Sequence, residues 1–190
     1  MKKHKKLLFF PIVLLLCIML LLALQTAVRL VEKAAYPQKY SAQVQQYAFA
    51  YQVEPALVYA IIRTESGFKK DALSSVGARG LMQITEETFS WIKSKIAQDE
   101  EISFDDLYDP TTNIRFGTYL LSVCMARYDN DISTAAAAYH SGLGKVDSLL
   151  ADESYTENGK VLHTFPYNQM NNYVRKVTRN YKMYQMLYAK

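Results

Sequence analysis

The stretch IIRTESGFKKDALSSVGARGLMQIT, residues 61–85, sets a single carboxyl group at the end of an apolar helical pattern. Leu57, Ile61 and Glu65 lie four residues apart, with Val58 and Ile62 in the neighbouring row, so Glu65 continues the core-facing stripe of a helix. Gly67 follows where a helix can terminate, which places Glu65 in a last turn, where the negative end of the helix dipole disfavours a second negative charge. Loss of solvent acts in the same direction and raises the proton affinity of the group. A carboxyl held protonated near neutral pH can donate its proton to a leaving-group oxygen. The same spacing also allows a plain structural role, in which Glu65 pairs with Lys69 or Lys70 and closes the helix.

The residues that follow bear on the choice. Ser74, Ser75, Gly77 and Gly80 form a loop able to fold tightly back on the helix end, and Leu81, Met82 and Gln83 then supply an apolar anchor, a soft thioether and an amide. That mixture suits a sugar. Metal chemistry is not indicated, since the three histidines His4, His140 and His163 stand at no ligand spacing. The two cysteines, Cys17 in an apolar run and Cys124 in a helical pattern, do not suggest an intramolecular disulfide.

The elements that must position these groups read as helices. SAQVQQYAFAYQV is amphipathic, and Pro55 suits the first turn of PALVYAIIRTES. Thr85 can cap TEETFSWIKSKIA, with Glu86 and Glu87 favoured by the dipole in the first turn. Asp109 can cap PTTNIRFGTYLLSVCMARY, with Pro110 first. Further helices fit ISTAAAAYH, GKVDSLLAD, and the chain from about Asn168 to its end. No stretch of period-two alternation competes with this pattern, so the fold class is all-α, with a polar loop over residues 152–163.

Four short motifs occur in order on this helical background: E-S at Glu65 and Ser66, S-x-V-G-A-x-G-L-M-Q from Ser74 to Gln83, A-Y-x-x-G from Ala138 to Gly142, and Y-V at Tyr173 and Val174. Through them the chain resembles the soluble lytic transglycosylase family, bacterial peptidoglycan-cleaving enzymes related to goose-type lysozyme, from about Val44 to Tyr188. The resemblance implies a lysozyme-like helical domain in which Glu65 is the sole catalytic acid and base. It implies that Ser74 orients that glutamate, that Gln83 contacts the sugar beside the reacting bond, and that Tyr139 and Tyr173 line the cleft. By spacing alone Tyr139, after four alanines, fits a core aromatic equally well, and Tyr173 shares a stripe with Val177, Tyr181 and Tyr184 that suits core packing. Two positions depart from the family pattern: His140 stands where an asparagine is usual, and Gln169 where a glutamate is usual. His140 can still donate and accept one hydrogen bond each when neutral, and Gln169 keeps the shape without the charge.

The reaction that the resemblance implies cleaves the bond between N-acetylmuramic acid and N-acetylglucosamine and closes a 1,6-anhydro ring, with the 6-hydroxyl of the substrate as nucleophile, so that one carboxyl suffices and no cofactor is needed. A hydrolytic muramidase on the same fold is a second expectation. A wall-binding or scaffolding protein without catalysis, suggested by His140 and Gln169, is a third.

The first thirty residues are a separate matter. MKKHKK precedes an uncharged run, residues 7–24, of about 18 residues, the lower limit for a helix that crosses a bilayer. A cleaved signal peptide is the other reading, with LQTAVRL a poor cleavage site. An uncleaved anchor would leave Lys2, Lys3, Lys5 and Lys6 in the cytoplasm and the rest of the chain outside, as a single-pass membrane protein. The expected organisation is then a basic tip and anchor over residues 1–30, a stalk over 31–40 in which Pro37 interrupts any helix, and one catalytic domain over 41–190. The net charge of +4 is a property of the anchor: residues 1–30 hold five of the 22 basic residues and none of the 18 acidic ones, leaving 17 against 18 for the rest. That balance gives no reason to expect a nucleic-acid partner. The expected partners are glycan strands of peptidoglycan and the membrane.

Overall fold

The computed structural model describes residues 2–189, with side chains described except at residues 2–10 and 12. The chain divides into two units, residues 1–37 and 38–190. The first is one helix, α1 (Lys2–Ala35). Within it Val13–Ala35 is long and apolar enough to cross a membrane, and its side chains are exposed. The helix runs through the first five residues of the segment expected to be a stalk and ends just ahead of Pro37, which restricts the residue before it and cannot extend a helical ladder. Lys2, Lys3, Lys5 and Lys6, expected to fix the orientation in the membrane, lie outside the residues whose side chains are described.

The second unit is built from α2 (Ser41–Ala50), α3 (Pro55–Glu65), α4 (Glu86–Ile96), a 3-10 turn (Phe104–Tyr108), α5 (Pro110–Arg127), α6 (Ile132–Ser141), α7 (Leu143–Leu150) and α8 (Asn168–Tyr188). Among the described residues there is no strand, only isolated antiparallel bridges that join Leu73 to Arg79 and Arg79 to Ile84. The starts of the helices follow local chemistry. Thr85, Asp109 and Asp131 each accept a hydrogen bond from the backbone N–H three residues on, at 3.4, 2.9 and 2.7 Å, a cap worth about 1 kcal/mol each. Pro55 and Pro110 open α3 and α5, where a missing N–H costs nothing.

α3 is the central helix. Leu57 to Ile62 are all buried, so it is apolar on every side over those residues. It lies against α8 and α2, α6 lies against α8 and α5, and α5 packs on α2 and α4. α8 buries Met170, Tyr173, Val174, Val177, Tyr184 and Leu187, a stripe at three- and four-residue spacing, and Tyr184 stacks on Tyr59 of α3 with ring centroids 5.1 Å apart. A second cluster beneath α4 joins Phe89, Ile92, Leu107 and Phe116, with Phe89 stacked on Phe116 at 5.3 Å. The 3-10 turn is not visible as a period in the sequence. It forms because Asp106 accepts from both the backbone N–H and the hydroxyl of Ser103 at 2.7 Å, while Leu107 is buried beneath α4.

Candidate active site

Glu65 is the last residue of α3, where the helix emerges from the core. Two bonds hold this end. The hydroxyl of Ser66 donates to Leu81 O at 2.8 Å, tying the helix terminus to the loop that follows, and buried Asn180 of α8 donates from Nδ2 to Thr64 Oγ1 at 3.0 Å. The side chain of Glu65 does not pair with Lys69 or Lys70; Lys70 lies 3.9 Å from Asp71 instead. Glu65 Oε1 accepts a hydrogen bond from the hydroxyl of Tyr173 at 2.6 Å. Burial pushes its pKa from the ordinary carboxyl value up to about 7, and the Tyr173 bond pulls in the opposite direction. The tyrosine itself remains a donor, because burial and the neighbouring glutamate raise its own pKa well above the usual value.

Glu65 lines two recesses that meet at its side chain. One, of about 650 Å³, includes Ser74, Val76, Gln83, Trp91 and Tyr139; the other, of about 400 Å³, includes Gln169, Asn172, Tyr173 and Lys176. His140 borders both, with its ring stacked on Tyr173 at 4.3 Å between centroids and 13° between planes. Partial burial lowers the pKa of His140, so the imidazole is neutral at pH 7.

The loop between α3 and α4 forms one wall. Ser74 closes it on itself: the hydroxyl oxygen accepts from Ala78 N at 3.0 Å and the Ser74 backbone N–H donates to Ala78 O at 3.0 Å. Ser74 therefore lines the groove with Glu65, while the hydrogen bond that orients the glutamate comes from Tyr173. Gln83 has a left-handed backbone at φ 51°, and its amide nitrogen donates to Gly80 O at 2.9 Å and Ala72 O at 3.1 Å. With both amide hydrogens committed to the loop, Gln83 offers the groove its carbonyl oxygen, an acceptor. Met82 is fully buried: its sulfur packs against Gly117, where an added Cβ would come within 2.5 Å of it. It serves the wall through its backbone, as Met82 O accepts from the Tyr139 hydroxyl at 2.9 Å.

Sequence reasoning missed the residue that holds this wall to the core. Asn113 of α5 is completely buried, accepts from Met82 N at 2.8 Å, and donates to Leu107 O at 2.8 Å and Arg79 O at 3.0 Å. Gly80 approaches it so closely that a Cβ would fall 2.1 Å from its amide nitrogen, and φ there is +76°. The available signal was an amide one residue before the buried Ile114, together with a glycine, Gly117, inside a helix. Trp91, Glu87 and Thr88 of α4 were also missed as lining residues, because the contact depends on how α4 lies over the groove.

Six of the seven positions expected beside Glu65 line the groove, and Met82, expected to contact the sugar, does not, because its side chain is buried against Gly117. Ser74, Gln83, Tyr139, His140, Gln169 and Tyr173 border the two recesses, and Met82 supports them from within. Among the described residues no group of histidine, cysteine and carboxylate side chains could hold a metal ion.

Fold and site together define a class: an all-α, lysozyme-like domain with one half-buried carboxyl, hydrogen-bonded by a tyrosine, at the bottom of an open cleft. The chain matches the transglycosylase SLT domain model over residues 42–162 and belongs to that family. It is 28% identical to the soluble lytic murein transglycosylase of Escherichia coli strain K12 over 143 residues, which cover 75% of this chain and 22% of that protein. It is 35% identical to the membrane-bound lytic murein transglycosylase C of Yersinia enterocolitica over 116 residues, 57% of this chain and 32% of the relative. In structure it is similar to the lytic transglycosylase Slt of Pseudomonas aeruginosa, solved as an inactive glutamate-to-glutamine mutant, with a TM-score of 0.72, 28% identity, and 81% and 25% of the two chains covered. The chain thus spans about a fifth of the length of the E. coli relative it matches.

Proposed function

We propose that this protein is a membrane-anchored lytic transglycosylase that cleaves the β-1,4 bond between N-acetylmuramic acid and N-acetylglucosamine in peptidoglycan and leaves a 1,6-anhydro muramyl end. The observation that carries the reading is the state of Glu65: a carboxyl raised to about 7, oriented by Tyr173, at the junction of two recesses able to hold sugars on either side of the reacting bond. The inactive glutamate-to-glutamine form of the Pseudomonas aeruginosa neighbour supports a glutamate as the essential group.

Glu65 in its protonated form donates to the glycosidic oxygen as the C1–O bond breaks, and the acetamido group of the substrate stabilises the positive sugar. The carboxylate then takes the proton from the 6-hydroxyl as that oxygen bonds to C1, which returns Glu65 to its starting state with no water consumed. A pKa near 7 suits both transfers, since donation and acceptance each need a group close to the working pH. Intramolecular attack has the nucleophile already in place, so a second activating carboxyl is unnecessary. Neutral His140 and Gln169 keep hydrogen-bonding capacity at the edge of the recess without placing a charge beside the acid.

Digestion of purified peptidoglycan by the full chain, followed by mass analysis, tests the reading: anhydromuramyl ends support it, and reducing muramic acid ends refute it. One observation favours hydrolysis as a second reading. Glu87, on the first turn of α4, is the other carboxyl that lines the larger recess. Hydrolysis by an inverting pair would make Glu87→Gln as damaging as Glu65→Gln, whereas the transglycosylase reading leaves the product unchanged in the Glu87 variant.

The anchor is α1, supported by its apolar stretch and by the similarity to a membrane-bound relative. The charge rule places its lysines in the cytoplasm and the catalytic domain outside, on wall close to the membrane.

A further inference from the structure

α8 turns one side to the core and the other outward. Opposite its buried stripe, Arg175, Arg179, Lys182 and Met186 recur at intervals of four, three and four residues. That spacing places them in one row along the helix, about 16 Å from end to end. Every side chain in the row is exposed, Met186 by 58%. With Lys176 and Met183 they line a depression of about 630 Å³. None of the cations Arg175, Lys176, Arg179 and Lys182 has a carboxylate ion-pair partner among the described residues, and α8 contains no aspartate or glutamate. Residues 38–190 hold 16 basic and 17 acidic side chains, and without the four cations of α8 the balance is 12 against 17. The face is therefore positive against a remainder that is acidic. Segregated charge of this kind serves association with an anionic partner and leaves fold stability little affected.

We propose that the outer face of α8 docks on the anionic lipid headgroups of the membrane that holds α1, with Met186 at the boundary between headgroups and acyl chains. The inference rests on the reading of α1 as an uncleaved anchor. Its own support is the pairing of charge with an apolar group and the length of the tether. A soluble polyanion would use the cations alone, whereas an exposed thioether in the same row is suited to a lipid interface. A row along one side of a helix also meets a plane along its whole length. Five residues, 36–40, separate α1 from α2, a reach of at most about 17 Å. A tether that short gives the domain an effective concentration at the bilayer in the millimolar range, so a face with weak intrinsic affinity is occupied. Lys176 also borders the recess of Gln169 and Tyr173, so docking sets one end of the cleft beside the bilayer and presents to Glu65 the strands nearest the membrane.

The test uses the full chain in nanodiscs of phosphatidylcholine, or of phosphatidylcholine mixed with phosphatidylglycerol, and reads the reactivity of each lysine towards an acylating reagent by mass spectrometry. Lys182 is expected to react more slowly in the anionic discs by roughly threefold or more, while exposed Lys95 of α4 keeps its rate. Salt at about 1 M, which shortens the screening length to ~3 Å, is expected to remove the difference. Arg175→Gln/Arg179→Gln leaves the reporter lysines in place. In that variant the ratio of docked to free chain is expected to fall about tenfold or more, at about fivefold for each cation near an anionic surface. Co-elution with the phosphatidylcholine discs reports the anchor separately. A chain that does not co-elute there, but whose Lys182 is protected by the anionic discs, contradicts the anchor and leaves the docking face standing. Equal Lys182 reactivity in the two lipids overturns the docking face, as does undiminished protection in the double variant. Protection of Lys182 by soluble polyphosphate without protection by the anionic discs assigns the face to a soluble polyanion and overturns the lipid proposal.

Discussion

The hydroxyl of Tyr173 donates to Glu65 Oε1 at 2.6 Å across 108 residues of chain, and this bond fixes where the acid points and tempers how tightly it holds its proton. Burial makes the carboxyl reluctant to ionise, while the tyrosine stabilises the ionised form, and burial prevails. Several consequences can be measured.

Glu65→Gln should lower the rate of fragment release by a factor of about 10² or more, the usual contribution of a positioned acid and base. The same change should stabilise the fold at high pH. The native pKa lies above that of an unfolded carboxyl, so the stabilising contribution of Glu65 is fully present below about 4.5, is lost as pH rises towards about 7, and stays lost above. At ~1.4 kcal/mol per unit the loss is about 3 kcal/mol. The melting temperature of the variant should match the wild type near pH 4 and exceed it by several degrees at pH 8. A constant difference across that range contradicts the burial argument.

Activity should decline on the alkaline side as Glu65 ionises, with an apparent pKa of about 7 in kcat/KM. Tyr173→Phe removes a bond that favours the ionised form, so the alkaline limb should move to higher pH even as the maximal rate falls. A shift to lower pH in the phenylalanine variant would show that the tyrosine acts in the opposite sense.

His140→Ala should loosen Tyr173 by removing a stacked ring at 4.3 Å. Such a stack is worth about 1 kcal/mol, so kcat should fall roughly fivefold. The check is kinetic: a change confined to KM would assign His140 to the sugar alone.

Asn113→Ala should strip three buried backbone groups of their partner, Met82 N, Leu107 O and Arg79 O. A cost of roughly 2–4 kcal/mol is expected in denaturant unfolding, together with weakened substrate binding as the wall from Ser74 to Gln83 loses its fixing point. Retention of full stability would mean that water replaces the amide.

A reporter fused after Lys190 should lie outside the cytoplasm if the basic N-terminal tip obeys the charge rule. A cytoplasmic signal would overturn both the topology and access to the wall.

The sequence by itself determined the helical architecture, because the period of buried residues, the capping side chains Thr85 and Asp109, and the prolines Pro55 and Pro110 are local signals that the tertiary structure only confirms. It also marked Glu65 as unusual, a carboxyl in the core-facing stripe at a helix end. The spacing left open whether that group was a spent ion pair or a poised acid, and whether Tyr173 was packing or chemistry. Those questions turn on distances between residues far apart in the chain. Only the packing of α8 against α3 brings the Tyr173 hydroxyl to Glu65, only the burial of Asn113 gives the following loop its rigid backing, and no periodicity records either, because a hydrogen bond depends on position in space and the pattern of a helix records only which face is apolar.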